Sequence, residues 1–226
     1  MAILKALRND PRYLNVNVTG NRKLKNTKRT HFIIWNLPAV CTCPYATDKC
    51  KGLCYARKAE RLYPQVLPAR ENNFAMSRLA DFADRMIYTL EVEISRNEKS
   101  GVKTVVRIHE SGDFYNKVYT SAWLTIARHF EGRNVVFMAY TKSIKFFVGE
   151  TIPANMTVRF SVWEDTKPAD IATAKDLGLP TYSADTADVV NSMVESGKTT
   201  KCDCADCANC GKCWDRSINS IHCIIH

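Results

Sequence analysis

The sequence predicts an α/β fold, either a partial (β/α) TIM-like barrel or an open parallel sheet, with Cys-rich metal-binding loops. Three observations carry that expectation. Short β-branched and aromatic runs alternate with helical patterns, which implies parallel β-α units joined by right-handed crossovers. Five strands are clear and a sixth is weak, too few for an eight-stranded closed barrel. Nine of the ten cysteines fall into two clusters near opposite ends, with none between Cys54 and Cys202.

The elements follow in order. A weak strand is readable at Tyr13 to Val18, and His31-Phe32-Ile33-Ile34-Trp35 is the first firm one. It leads through Asn36-Leu37-Pro38 into the first cysteine loop. A long helical region follows Cys54; in its second half Phe82, Met86, Leu90 and Ile94 repeat every four residues as one buried face, ended by Gly101. Thr104 to Ile108 is a strand. The next helix buries Tyr119, Ala122/Trp123, Ile126 and Phe130 and stops at Gly132. Asn134 to Ala139 is a strand, after which Ser143 has the character of a cap for a short helix. Thr157 to Val162 is another, followed by a helix with Pro168 in its first turn and Gly178 just past its end. A last short strand lies near Leu179 to Ser183.

The length of 226 residues and the 46% hydrophobic content fit one sizeable domain. Residues 1–30 read as a basic N-terminal arm, 31–200 as the β/α core with the first cysteine cluster, and 201–226 as a C-terminal Cys-rich segment packed on that core. No apolar run reaches the roughly 18 residues of a membrane helix, so no membrane partner is expected. The N-terminus has no signal-peptide apolar region, so secretion is not expected either. A disulfide framework belongs to short secreted chains, which favours metal ligation over disulfides or redox dithiols for these cysteines.

The formal charge of +9 points to an acidic partner such as nucleic acid. Thiolates committed to a cluster would offset part of that excess. The most concentrated basic stretch, Arg22 to Arg29, lacks interleaved aromatics. It reads as a solvated loop or as an arm contacting phosphates.

In a parallel α/β fold, ligands bind beyond the C-terminal ends of the strands. The unusual polar segments all fall there: the first cysteine loop, His109-Glu110-Ser111-Gly112-Asp113, Tyr140-Thr141-Lys142-Ser143, Trp163-Glu164-Asp165-Thr166 and Asp185-Thr186-Ala187-Asp188. His109, Asp113 and Lys142 are the candidate catalytic groups on that rim. Asp113 reads equally as a cap for the helix that follows it. Arg107 and Arg159 lie within strands, where a charge needs an acidic or cluster partner.

Cys43-x6-Cys50-x3-Cys54 offers three thiolates from a loop turning into a helix. Three ligands on a four-iron four-sulfur (4Fe-4S) cluster leave one iron open, and a fourth from Cys41 would close it. Zinc is the rival, although Cys41-x-Cys43 is a poor zinc knuckle. The run Cys204-x2-Cys207-x2-Cys210-x2-Cys213 follows the Cys-x2-Cys-x2-Cys-x3-Cys pattern of bacterial ferredoxins. Its ligand set is expected from Cys204, Cys207, Cys210 and Cys213, with Cys202 and Cys223 as further candidates.

Several motifs in order carry a resemblance. They are Cys43-Pro44-x-Ala46-Thr47-x2-Cys50-x3-Cys54-Tyr55-Ala56-Arg57-Lys58, Val106-Arg107-Ile108-His109-x-Ser111-Gly112-Asp113-Phe114, Ala139 to Ser143, and Cys207-x2-Cys210-x2-Cys213-Trp214. Together, over residues 32–226, they resemble the gene-product-88 family of bacteriophage proteins. The resemblance implies a phage or prophage protein working in the bacterial host cytoplasm and implies no activity. The Cys-Tyr-Ala step is also similar to radical S-adenosylmethionine enzymes, which use partial β/α barrels. Their usual Cys-x3-Cys-x2-Cys and a Gly-Gly-Glu-type segment are absent here.

The expected function is therefore a phage-type iron–sulfur protein with one or two 4Fe-4S clusters, carrying redox or radical-type chemistry at the strand rim. Cys43, Cys50, Cys54, Tyr55, Arg107 and Tyr140 are the expected cofactor-binding residues, with S-adenosylmethionine as an allowed second cofactor. Its partner is expected to be a small molecule or an electron donor. The alternative is a binding module, stabilised by zinc or a cluster, that contacts nucleic acid through its basic face.

Overall fold

The computed structural model describes residues 2–202 and 206–225, with side chains from residue 4 onward. Seven strands form one all-parallel sheet: β1 (Thr30–Trp35), β2 (Lys103–Ile108), β3 (Val135–Thr141), β4 (Met156–Val162), β5 (Thr181–Asp185), β6 (Thr200–Lys201) and β7 (Ser220–Ile224). Their order across the sheet is β1-β2-β3-β4-β5-β7-β6. Strands β1 to β5 lie side by side in chain order, as in a β/α barrel, but β1 and β6 remain edges. The sheet is open and no closed barrel is formed.

Right-handed crossovers that always step the same way put their helices on one face. That layer holds α5 (Phe82–Lys99), α6 (Lys117–His129) and α7 (Pro168–Asp176). Its core joins Phe82, Met86, Leu90 and Ile94 to Tyr119, Trp123, Ile126 and Phe130, and to alternate strand residues such as Ile33, Trp35, Val106, Ile108, Phe137 and Val158. The four-residue periodicity of α5 is therefore the buried face expected. The helical region after Cys54 is broken into α3 (Tyr55–Leu62), α4 (Val66–Ser77) and α5, with Pro64 and the Leu79-Ala80-Asp81 turn at the breaks.

The opposite face of the sheet would be the interior of a closed barrel. Here Phe32, Ile34, Val105, Met138, Tyr140 and Tyr182 meet Leu24, Cys213, Trp214, Ile218 and Ile221 in a second, smaller core. The C-terminal cysteine segment thus covers the face that barrel closure would have buried. The chain runs from β5 through α8 (Ala187–Glu195) to the edge strand β6, then through that segment into β7, which inserts between β5 and β6.

Several expectations change. The segment read as a basic arm begins with helix α1 (Ala2–Arg8), tied to α5 by the Arg8–Glu93 ion pair at 2.7 Å. Its remainder contributes Leu14, Val16 and Leu24 to the two cores, while Arg22, Lys23, Lys25, Lys28 and Arg29 stay exposed. Tyr13 to Val18 makes an isolated antiparallel bridge, Asn17 to Ile34, and is no strand. Ser143 occupies the N-cap position of a 3-10 turn at Ile144–Phe147 without a side-chain capping bond. Strand β7 and helix α8 were not anticipated: β7 lies in the short apolar tail after the cysteines, and α8 begins inside a segment read as rim loop.

Candidate functional site

The first cysteine loop is pinned to the ends of neighbouring strands. Asn36 Oδ1 accepts from the backbone N–H of Glu110 and Ser111, Leu37 N–H donates to Ser111 O, and Ser111 Oγ returns a bond to Leu37 O. Gly112 makes this approach feasible: at φ +85°, a Cβ there would stand 2.6 Å from Leu37 Cβ and 2.7 Å from Thr42 Oγ1. From the β4 side, Asp165 accepts from Lys49 N–H at 2.9 Å, and Glu164 pairs with Lys49 Nζ at 2.6 Å. Val40 and His109 both have positive φ, 70° and 62°. Such strain in a β-branched residue and a histidine, here flanking one rim, is typical of functional loops.

Within the loop, α2 (Asp48–Gly52) is capped by Thr47, whose side chain accepts from Cys50 N–H at 3.3 Å, and Cys54 occupies the N-cap position of α3. Cys43, Cys50 and Cys54 are electrostatic neighbours. Burial raises the Cys43 thiol, helped by the charge of Asp113 and by the two other cysteines. Burial likewise raises Cys50, with Lys142 opposing. Cys41 is exposed and feels Glu60 and Glu71 instead, so it stands apart from the trio.

The rim residues divide sharply in their roles. Asp113 is buried and does not cap α6; Asn116 does, accepting from Tyr119 N–H at 2.8 Å. Asp113 accepts instead from Thr141 Oγ1 at 2.6 Å, Lys142 N–H at 2.9 Å and its neighbour Phe114 N–H at 2.7 Å. Burial nevertheless raises its carboxyl above the usual range, with those bonds opposing. Lys142 Nζ donates to Ser161 O at 2.6 Å and lies 5.7 Å from the Trp163 ring centre. Burial brings its ammonium down to about 8, against the pull of Cys50, Asp113 and Asp165. Lys142 and Asp113 therefore lie in the electrostatic neighbourhood of the cysteine trio.

His109 packs into the helix-side core, its ring against Phe114 and Tyr119. Trp35 Nε1 donates to the Tyr119 hydroxyl at 3.0 Å, and His109 Nε2 shares a hydrogen bond of 2.8 Å with the same hydroxyl. Burial drives the histidine down to about 3, so the ring is neutral. The Tyr55 hydroxyl donates to Glu110 O, fastening α3 to the same rim.

Arg107 and Tyr140 belong elsewhere. Both project onto the other face of the sheet, under the C-terminal segment. Arg107 lies 3.9 Å from the centre of the Tyr140 ring, Tyr140 stacks on Tyr182 at 4.3 Å, and the Tyr140 hydroxyl donates to Cys213 Sγ at 2.6 Å. Arg159, fully buried, donates to four backbone carbonyls, those of Lys212, Cys213, Asp215 and Ile218. Arg159 was expected to need an acidic or cluster partner; a ring of carbonyl oxygens takes its hydrogen bonds. The Cys213 thiol is held below its ordinary value by a bond from Cys202, then by Tyr140 and the charges of Arg107 and Arg159.

Cys202, Cys207, Cys210 and Cys213 line one small cleft with Asp206, Gly211, Lys212 and Trp214. The cleft is shaped by the one-turn helix α9 (Cys207–Cys210), capped by Asp206 and closed by Gly211 at φ +69°. Cys204, expected as a ligand, lies outside the described residues; Cys202, a further candidate, lines the cleft. Cys223 is buried on β7. Among the described residues no group of three or more such side chains converges on a single ion position.

Two observations bear on whether this donor set suits a thiolate-bound iron–sulfur cluster. Cys202, Cys207, Cys210 and Cys213 line one cleft together, and thiolates are the donors by which such clusters are held. Arg107 Nη1 is buried without a hydrogen-bond partner, a donor left over beside the cysteines for an anionic group. In the chemistry of their donors, the residues present fit the group.

No helix among the described residues is long and apolar enough to cross a membrane. No solved structure matches the chain. Two curated relatives, both named Gene 88 protein, share 33% identity (Mycobacterium phage D29) and 31% identity (Mycobacterium phage L5) over 104 residues. The matched stretch is 45% of this chain and spans less than half of each relative, 42% and 43%. The model of the family described as Gene product 88 matches residues 14–216, a span that takes in the rim loops, the whole sheet up to β6 and the cysteine cleft, and the chain therefore belongs to the gene product 88 family.

Proposed function

We propose that this chain is an iron–sulfur protein of phage or prophage origin that works in the host cytoplasm. The single observation that carries the reading is the convergence of Cys202, Cys207, Cys210 and Cys213 on one cleft, beside the orphaned Arg107 Nη1. These four residues hold a 4Fe-4S cluster through their thiolates, three of them, Cys207, Cys210 and Cys213, drawn from the ferredoxin-like run. Cys43, Cys50 and Cys54 hold a second cluster at the strand rim, with one iron left without a cysteine. Such clusters supply one-electron transfer when bound.

The rim is where a small-molecule substrate would meet the second centre. Lys142 orients an anionic group there through its charge, and Asp113 fixes the position of the Lys142 backbone. His109 is assigned no proton-transfer role, because its buried ring packs against Phe114 and Tyr119. The C-terminal centre, beneath the covering segment, serves as relay or fastener. The chemistry is redox or radical-type, and an S-adenosylmethionine titration of reconstituted protein decides between the two.

Anaerobically reconstituted protein is expected to be brown, with about four or eight irons per chain. Replacing Cys43, Cys50 and Cys54 with serine is expected to remove one cluster's worth of iron and leave the other. A colourless protein with stoichiometric zinc defeats the reading and favours the structural-metal alternative.

A further inference from the structure

We propose that Tyr140 is a positioning residue that sets the reduction potential of the C-terminal centre through its hydrogen bond to Cys213. The inference rests on the iron–sulfur reading above and adds a control element to it. Cys213 is held at both ends by adjacent strands: its carbonyl oxygen by Arg159 Nε on β4 at 2.9 Å, its sulfur by the Tyr140 hydroxyl on β3 at 2.6 Å. Tyr140 and Arg159 are register partners, so the two grips come from neighbouring positions of the same sheet face.

The Tyr140 ring has little freedom to turn away. Arg107 lies against it from the β2 side at 3.9 Å, and Tyr182 stacks on it from the β5 side at 4.3 Å with planes 16° apart. A donor so fixed draws electron density from the ligand sulfur and favours the more negative, reduced state of whatever that sulfur binds. The step being tuned is the uptake of one electron from an external one-electron donor, with no bond made or broken. Arg107 and Arg159 add positive charge in the same sense, and they do so where the sheet leaves little water to screen them.

The test uses the full chain with Cys43, Cys50 and Cys54 replaced by serine, reconstituted anaerobically so that the C-terminal centre is observed alone. Iron per chain is measured first, and the potential is then read by titration followed with electron paramagnetic resonance. Tyr140→Phe is expected to keep the iron and lower the potential. Incorporation of 3-fluorotyrosine at position 140, a more acidic donor, is expected to raise it. Tyr13→Phe, which removes a hydroxyl bound to Glu93 on the helix side, is expected to leave it unchanged. Equal potentials in the parent and Tyr140→Phe, with iron retained, overturn the inference. If Tyr140→Phe loses its iron, the fluorinated variant decides: an upward shift supports the inference and no shift overturns it. Absence of iron from the unsubstituted protein defeats the iron–sulfur reading itself.

Discussion

Thr141 Oγ1 donates a 2.6 Å hydrogen bond to Asp113 Oδ1, joining the end of β3 to the loop that follows β2. The same carboxylate accepts from Lys142 N–H, so one buried side chain holds two strand ends in register beside Cys43 and Cys50. Thr141→Val keeps the shape and removes the donor, leaving a buried carboxylate short of a partner. The expected cost is about 1–3 kcal/mol of stability, measured by urea unfolding.

Gly112 is pressed against the first cysteine loop in a conformation that disfavours side chains. Gly112→Ala would place its methyl inside contact distance of Leu37 and Thr42, so the loop must shift. A loss of about 1–3 kcal/mol is expected. On the proposed iron–sulfur reading, iron held through Cys43, Cys50 and Cys54 is expected to fall more than iron held at the C-terminal cleft.

Arg159→Met removes donors from four carbonyls that sit over the sheet. Charge-assisted hydrogen bonds contribute about 1.5–3 kcal/mol each, and their losses overlap in one network. A destabilisation of about 3 kcal/mol or more is expected. Hydrogen exchange is expected to accelerate first in residues 207–219, before the helix-side core.

His109 carries a pH signature with a defined sign. Its folded value, near 3, lies below the ordinary value of 6.5 because burial disfavours the charged ring. The unfolded chain therefore binds the proton more readily. The stability that the neutral ring supports is present above about 6.5 and is lost as pH falls toward 3, by about 1.4 kcal/mol per unit. His109→Asn tolerates the positive φ and removes the titration. Unfolding free energies of the two proteins are expected to converge as the pH is lowered through that window.

Much of the fold was legible in residue patterns. The strands at residues 30–35, 103–108, 135–141 and 156–162 announce themselves because both of their faces are buried, which demands continuous apolar and β-branched runs. Helix α5 was legible because one face alone is buried. Strand β7 was not: Ser220–Ile224 is short, and it follows a cysteine run whose spacing suggests loop structure. Sequence left Asp113 open between a helix cap and a rim group. Either an acid or Asn116 can cap, and only the packed structure shows which side chain reaches the helix N–H groups.

The cysteine spacing by itself determined that this protein carries two sets of closely spaced thiols, since short separations bring side chains together whatever the fold. The order of strands and helices determined a parallel sheet with its polar loops on one rim. Only the tertiary structure decided that the sheet stays open, because the C-terminal segment occupies the face that closure would bury. Only it decided that Tyr140 bonds to Cys213 and that Arg107 lies against the Tyr140 ring, both away from Cys43. Residues at alternate positions of a strand point to opposite faces, and which face meets which cysteine cluster depends on a chain return from more than 60 residues away.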